Sequence, residues 1–172
     1  GRKNIAAGLW GSGDHPQMLT AVRTFWPLIK VKLTPAAGLT RQNITVVDSA
    51  NDREMHLRNK SRLASSKALK KLQADLEAIV RKGSICVFAG TLPDGELLDD
   101  VVRIVEFCKS RGAKIVLDTS GHPLKEIVNI GSIRLIKPNV EELRELLGEQ
   151  VKDRPASLAK AGRKLLDKVE IV

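Results

Sequence analysis

Amphipathic helical stretches alternate with short apolar runs after residue 64, and this alternation is the strongest constraint on the fold. Apolar residues recur at helical spacing from Leu69 to Val80 and are followed by the apolar run 85–90, which is typical of a buried strand. The cycle repeats with a helical stripe from Leu98 to Cys108 and a second apolar run at 114–118. Strands separated by helices of this length predict right-handed crossovers and a parallel sheet covered on both faces.

The same alternation continues to the end of the chain. It predicts helices at Pro123–Val128, Val140–Leu147 and Pro155–Asp167. It also predicts strands at 132–136 and at the terminal VEIV. The predicted class is α/β, with a three-layer α/β/α parallel sheet.

The first 60 residues show a different pattern. It predicts a strand at 4–11, a helix from Pro16 to Phe25, half-exposed strands at 29–33 and 40–48, a turn at 49–52 and a hairpin partner at 54–58. We therefore predict a first strand–helix unit at 1–28, a small β-ribbon lid at 29–60 and the α/β body at 61–172. The chain opens on a strand and ends on Ile171 and Val172, so we expect a fragment of a longer protein, truncated at both ends.

Composition narrows the choice of partners. Lys and Arg outnumber Asp and Glu 29 to 20, a formal charge of +9, but the chain has only three Phe, two Trp and no Tyr. Proteins that bind single-stranded nucleic acid also use exposed aromatic side chains, so a small anionic substrate is favoured over nucleic acid.

No apolar run is long enough to span a membrane and no signal peptide is recognisable, which predicts a cytoplasmic protein. Cys86 and Cys108 have apolar neighbours and are predicted to be reduced core residues.

Ligands of open α/β sheets bind where the strands end, so the loops after the predicted strands hold the candidate site residues. After strand 85–90, Gly90 permits close backbone approach and Thr91 offers a hydroxyl, although a plain turn explains both equally well. Asp118 ends the next strand and is favoured as a turn former, and His122 as an ordinary loop residue.

The stretch IKPNVEEL combines a lysine, an amide and a carboxylate after the strand at 132–136. Asn139 and Glu142 have the spacing of a helix capping box, which needs no further function. Together with Lys137, the same groups also suit phosphate and hydrated Mg²⁺. Earlier in the chain, Arg41 on the alternating strand offers a fork of donors to phosphate, or is simply exposed.

The chain carries neither a phosphate-loop motif nor a dinucleotide fingerprint. Four ordered stretches nevertheless resemble one family. TRQNITVVD, AGTLPDG, DTSG and IKPNVEEL are similar to motifs of the ribokinase-like carbohydrate kinases of the phosphofructokinase B type, and most of all to its phosphosugar branch of 1-phosphofructokinases, tagatose-6-phosphate kinases and minor 6-phosphofructokinases. The resemblance covers most of residues 38–172.

This resemblance implies transfer of the γ-phosphoryl group of MgATP to a sugar phosphate such as fructose 1-phosphate, tagatose 6-phosphate or fructose 6-phosphate. It implies that Arg41 binds the existing phosphate, that Asn43 lies near the sugar, and that Gly90 and Thr91 contact the substrate. Lys137 would approach the nucleotide phosphates, and Asn139 and Glu142 would organise Mg²⁺ through water. Lid strands that pair between subunits would form a homodimer.

The resemblance also implies parts that this sequence does not contain. The family's catalytic aspartate base and anion hole are expected downstream of Val172, so no catalytic residue is assigned and the fragment alone is expected to have little activity. Two alternatives stay open: a kinase for an unphosphorylated sugar, which would not need Arg41, and a non-catalytic α/β binding module, in which Asn139 and Glu142 are only a cap.

Overall fold

The computed structural model describes residues 4–58 and 62–172. The chain divides into two compact units, Gly1–Leu76 and Glu77–Val172. The first unit contains strands β1 (Asn4–Gly11), β2 (Ile29–Ala36), β3 (Asn43–Asp48) and β4 (Arg53–Arg58). It also contains helices α1 (His15–Phe25) and α2 (Ser66–Glu77). The last residue of α2 falls in the second unit. The predicted boundary at residues 60 and 61 lies outside the described residues, and the predicted three-part division stays a prediction.

Strands β1 and β2 form a parallel pair, with Asn4 opposite Ile29 and Gly11 opposite Ala36. Helix α1 connects them, as a parallel pair requires. Thr34 of β2 is fully buried and its hydroxyl donates to Asp75 of α2 over 2.6 Å. This bond is the main reason that the pKa of Asp75 lies below its ordinary value. The sequence grouped 29–33 with the ribbon, but the structure pairs this strand with β1.

Strands β3 and β4 form the predicted antiparallel ribbon, with Ile44 opposite Leu57 and Val46 opposite Met55. Opposed residues of a strand pair point to the same face, so these four apolar side chains share one face of the ribbon. Each of them is at least half exposed. The ribbon therefore presents an apolar face to solvent within this chain.

The second unit contains strands β5 (Ile85–Ala89), β6 (Lys114–Asp118) and β7 (Leu135–Ile136), a short 3-10 helix (Gly95–Leu97), and helices α3 (Leu98–Ser110), α4 (Gly121–Asn129), α5 (Val140–Leu147) and α6 (Pro155–Arg163). The strands are parallel in the order β5-β6-β7. Because parallel crossovers are right-handed and each step adds a strand on the same side, α3 and α4 lie on the same face of the sheet.

The predicted strand at 132–136 is shorter in the structure, where β7 covers only Leu135–Ile136 and the residues before it make isolated contacts. Ile133 forms a parallel bridge with Val169, while the Arg134 N–H donates to the carbonyl of Ile115 over 2.9 Å. The Ile136 N–H donates to the Ile171 carbonyl over 3.0 Å. The terminal VEIV thus lies beside β7, but it makes only an isolated bridge there and not the predicted strand. Helix α6 ends at Arg163 rather than at Asp167.

The core of the second unit lies between the sheet and its helices. Ile115 and Leu117 of β6 are each 1% exposed, and Ile127 of α4 and Val105 of α3 are fully buried. Ile85 and Val87 of β5 are 59% exposed. The prediction of a strand at 85–90 is confirmed, but the prediction that it is buried is wrong, because the helices of the second unit pack on only one face of this sheet.

Both cysteines are free, as predicted, with Cys108 buried in α3 and Cys86 half-buried in β5. A hydrogen bond from the Cys108 thiol lowers the pKa of Cys86 to about 7 and raises the pKa of Cys108. The sequence did not indicate that the two thiols are neighbours.

None of the helices in residues 4–58 and 62–172 has the length and apolar character needed to cross a membrane.

Candidate active site

The candidate residues of the second unit gather at one edge of its sheet. Strands β5, β6 and β7 are parallel, so their carboxyl ends, at Ala89, Asp118 and Ile136, lie side by side. The loops that follow these ends carry Thr91, Lys137 and their neighbours. The structure thus brings five of the seven predicted site residues to the edge where α/β proteins bind ligands.

The loop after β5 is fastened to the loop after β6. The Gly90 N–H donates to the Asp118 carbonyl over 3.0 Å, and the Thr119 hydroxyl donates to the Gly90 carbonyl over 2.6 Å. Gly90 has a φ of +80°, a conformation that favours glycine. These contacts hold Thr91, which is exposed, at the end of the strand.

Lys137 forms an ion pair with Asp118, with its Nζ 3.2 Å from Asp118 Oδ1. Both side chains are more than half exposed, so the pair contributes at most about 1 kcal/mol to stability. The Lys137 N–H donates to the Leu117 carbonyl over 3.3 Å, which fixes the backbone at the strand end. Asp118, favoured from sequence as a turn former, instead directs its carboxylate at the lysine of the neighbouring strand.

Asn139 and Glu142 form the predicted capping box at the start of α5. Asn139 Oδ1 accepts the Glu142 N–H, and Glu142 Oε2 accepts the Asn139 N–H, each over 2.9 Å. The box satisfies backbone donors at the helix N-terminus, and the macrodipole favours the two acids there. The cap therefore holds the Glu142 carboxylate rigidly beside the strand end that carries Lys137.

One feature of this edge was missed from sequence. Asp94 Oδ1 lies 2.9 Å from Nδ1 of His122, at the start of α4, and also accepts the Gly95 N–H over 2.7 Å. His122 Nε2 is 3.7 Å from Glu126. His122 is thus part of a side-chain bridge between two strand-end loops rather than an isolated loop residue. The only signal in the sequence was that both residues follow neighbouring parallel strands.

A small cleft of about 140 Å³ opens beside this bridge, between the N-terminal part of α4 and helix α5. Its polar lining comes from His122, Lys125, Glu142 and Glu145. One face of Glu142 is therefore accessible from a cavity, which a purely structural cap does not require.

Arg41 and Asn43 belong to the first unit. Arg41 was expected on a strand, but β3 begins at Asn43 and Arg41 is partly buried in the loop before it. The N–H of Thr40, at the start of the predicted strand, donates to Asp14 in the turn after β1. Asn43 is the first residue of β3 and is exposed.

The donor set fits Mg²⁺ only in its hydrated form. Within residues 4–58 and 62–172, no group of three or more His, Cys, Asp or Glu side chains is placed to hold a metal ion. Mg²⁺ commonly keeps several waters and binds through one or two carboxylates together with substrate phosphates. Glu142, with Asn139 beside it, suits that mode of binding.

We predict that replacing His122 with alanine raises the pKa of Asp94 towards its ordinary value of 3.8. The hydrogen bond from His122 is the largest cause that lowers this pKa, ahead of the Gly95 N–H. A carboxyl with a lowered folded-state pKa stabilises the fold above its unfolded pKa and loses that contribution as the pH falls through the folded value. Carboxyl carbon NMR during an acid titration measures the shift.

Glu126→Gln is the matched control, because Glu126 touches the other nitrogen of His122 at a longer distance. It is expected to leave the Asp94 titration almost unchanged. An Asp94 pKa that does not respond to His122→Ala would show that the bridge is not formed in solution.

A lysine, an amide and carboxylates are gathered at the carboxyl edge of a parallel sheet, which defines an α/β protein with polar groups where such sheets bind ligands. The fold closely matches the tetrameric inhibited form of phosphofructokinase-2 from Escherichia coli, with a TM-score of 0.86 at 23% identity over 98% of this chain and 55% of that one. The predicted ribokinase-like fold is confirmed. Residues 29–172 match the model of the pfkB family carbohydrate kinases, and the chain belongs to this family.

Curated relatives support the same assignment. The chain is 26% identical to ATP-dependent 6-phosphofructokinase isozyme 2 of Escherichia coli (strain K12), over 91% of this chain and 48% of that protein. It is 30% identical to 1-phosphofructokinase of Borreliella burgdorferi, over 97% of this chain and 52% of that protein. The chain spans about half the length of the curated relatives it matches.

Proposed function

We propose that the full-length protein is an ATP-dependent phosphosugar kinase, which transfers the γ-phosphoryl group of MgATP to a hydroxyl of a sugar phosphate. The observation that carries this proposal is the convergence of Lys137 with the Asn139–Glu142 capping box at the carboxyl edge of the sheet, in a chain of the pfkB family. The relatives described above are named for fructose phosphate substrates.

Phosphoryl transfer is catalysed mainly by positioning and by stabilising negative charge. In the proposal, the Lys137 ammonium binds nucleotide phosphate, helped by backbone that is fixed at the strand end. Asn139 and Glu142 hold the water shell of Mg²⁺, which neutralises phosphate charge when it is bound. Gly90 and Thr91 contact the sugar, and the bonds from Gly90 to the β6 end keep that loop in place.

Arg41 and Asn43 of the first unit are also proposed to bind the substrate. A guanidinium presents a planar fork of donors that matches phosphate oxygens. Arg41 would bind the phosphate that the substrate already carries, and Asn43 would donate to the sugar. This role separates a phosphosugar kinase from a kinase of free sugars.

We expect Arg41→Ala in the full-length protein to raise the KM for fructose 6-phosphate or fructose 1-phosphate by about 10- to 100-fold, since a charge-assisted hydrogen bond contributes about 1.5–3 kcal/mol. Steady-state kinetics with MgATP in excess measures the change. Arg53→Ala removes the same charge at the start of β4 and is expected to leave KM within about twofold.

Two results would contradict the proposal. Phosphorylation of ribose or fructose with a higher kcat/KM than any sugar phosphate would favour a kinase of unphosphorylated sugars. An absence of ATP turnover by the full-length protein with every one of these acceptors would favour a non-catalytic binding module.

The proposal includes a homodimer formed through the ribbon. Ile44, Val46, Met55 and Leu57 share one face of β3 and β4 and are 50–60% exposed. A contiguous exposed apolar face marks an interaction surface, and a second copy of the ribbon would cover it with an identical face. Sedimentation equilibrium of the full-length protein tests this association.

A further inference from the structure

The turn that follows β1 is tied to the segment that follows β2 by several bonds. The Ser12 N–H donates to the Ala36 carbonyl over 2.7 Å, and the Gly13 N–H donates to the Gly38 carbonyl over 3.2 Å. The Gly11 N–H donates to the hydroxyl of Thr40 over 2.9 Å. The segment that leads to Arg41 is therefore fastened along its length to the turn Gly11–Asp14.

Asp14 contributes a side chain to this junction. It stands at the N-cap position of α1, where an aspartate ordinarily accepts a hydrogen bond from its own helix, but its side chain makes no such bond. Instead, Oδ1 accepts both the N–H of Thr40 over 3.2 Å and its hydroxyl over 3.1 Å. The side chain thus serves a contact 26 residues away in place of a local cap.

Both the hydroxyl and the backbone N–H of Thr40 form hydrogen bonds in this junction. Its hydroxyl donates to Asp14 and accepts from Gly11, and its N–H donates to Asp14 as well. A serine would keep these bonds, whereas a valine of the same shape would lose both hydroxyl bonds.

The two segments approach each other most closely at Gly11. A Cβ atom on Gly11 would lie 2.5 Å from the Thr40 nitrogen and 2.6 Å from Asp14 Oδ1. A Cβ atom on Gly13 would lie 2.7 Å from a methyl carbon of Leu39. Gly11 is required by close approach to backbone, since its φ is not positive, whereas the Leu39 methyl group near Gly13 ends an exposed side chain that can move aside.

We propose that Asp14 and Thr40 are positioning residues for Arg41. Their hydrogen bonds hold the peptide immediately before Arg41 in one conformation. The guanidinium of Arg41 then starts from a fixed backbone position when it binds the substrate phosphate. The inference rests on the proposed function, because it takes Arg41 as the phosphate ligand. A preorganised loop loses less conformational freedom when the ligand binds, so loosening it should weaken binding of the sugar phosphate without removing any group that touches it.

The first test reads the junction directly, by amide hydrogen exchange in the full-length protein. Thr40→Val removes the acceptor of the Gly11 N–H, and we expect exchange at Gly11 to become at least about 10-fold faster. Asp14→Ala should accelerate exchange at Thr40 in the same way. Thr40→Ser and Asp14→Asn keep the acceptor oxygens and are expected to stay close to the wild type.

The second test is a double-mutant cycle on the KM for the sugar phosphate. We expect Asp14→Ala and Thr40→Val each to raise KM about 10-fold with kcat within about twofold, and to have no further effect in an Arg41→Ala background. Thr40→Ser should restore the wild-type KM. If Asp14→Ala does not fold, Thr40→Val against Thr40→Ser decides the question.

The outcomes separate this inference from the proposed function. Faster exchange with an unchanged KM in the Asp14 and Thr40 variants would overturn the positioning role, while the effect of Arg41→Ala would still support the kinase proposal. A rise in KM that persists in the Arg41→Ala background would also overturn it, since Asp14 would then act through another group. If Arg41→Ala itself leaves KM unchanged, both proposals fail at Arg41.

Discussion

Replacing Glu142 with glutamine in the full-length protein is expected to lower Mg²⁺-dependent phosphoryl transfer by about 10- to 100-fold, the usual cost of removing a group that orients a metal shell. The amide oxygen of glutamine can still accept the Asn139 N–H, so the capping box survives and only the negative charge is lost. The free energy of unfolding is expected to fall by no more than about 1 kcal/mol, the contribution of an acid in the first helical turn. Initial rates at saturating sugar phosphate, measured over a range of Mg²⁺ concentrations, give the first quantity, and urea unfolding gives the second.

Glu141→Gln is the matched control. Glu141 also lies in the first turn of α5, but it is exposed and its carboxylate pairs with Arg144. The substitution makes the same change in charge and in helix-dipole energy without touching the cap, so turnover is expected to stay within about twofold. If Glu142→Gln behaves like this control, with a small loss of stability and normal turnover, the residue is only a cap.

The capping box was predictable from sequence because it is local. The Asn139 and Glu142 side chains bond backbone groups three residues away, and this spacing is a property of the helix itself. The positions of the helices and of strands β5 and β6 follow equally from short-range periodicity. The convergence of Gly90, Asp118 and Lys137 needed one further rule, that parallel strands end at a common edge.

The junction between Asp14 and Thr40 was not predictable in this way. An aspartate before a helix indicates an N-cap, and nothing in the local pattern shows that its carboxylate turns to a residue 26 positions further on. The strand predicted at 40–48 is found at Asn43–Asp48, and its predicted start at Thr40 was wrong: the period of two continues through Thr40, but its N–H is bonded to Asp14. The bridge from Asp94 to His122 also depends on a distant contact, across 28 positions.

Burial of strand β5 shows another limit of pattern reasoning. The run ICVFA is apolar throughout, which predicts a strand that is buried on both faces. Within this chain, Cys86 and Phe88 are half-buried, while Ile85 and Val87 are mostly exposed. The outer face of this strand is therefore apolar, although no helix of the second unit packs on it.

The two faces of the β5-β6-β7 sheet are expected to differ in how much a shortened side chain costs. Leu117→Ala, on the packed face of β6, is expected to lower the free energy of unfolding by about 2–5 kcal/mol, since a side chain that is 1% exposed leaves a cavity when it is shortened. Ile85→Ala removes the same number of carbon atoms from a side chain that is 59% exposed and is expected to cost less than about 1 kcal/mol. Urea unfolding of the 172-residue chain measures both.

Equal losses in the two variants would contradict the one-sided packing of the β5-β6-β7 sheet, because they would require the face that carries Ile85 to be covered within this chain. The same pair of substitutions in the full-length protein then reports on that face. If residues outside this chain pack against it, the cost of Ile85→Ala rises towards that of Leu117→Ala, since the shortened side chain would leave a cavity there as well. A cost that stays below about 1 kcal/mol in both contexts would instead mean that Ile85 faces solvent in the complete protein.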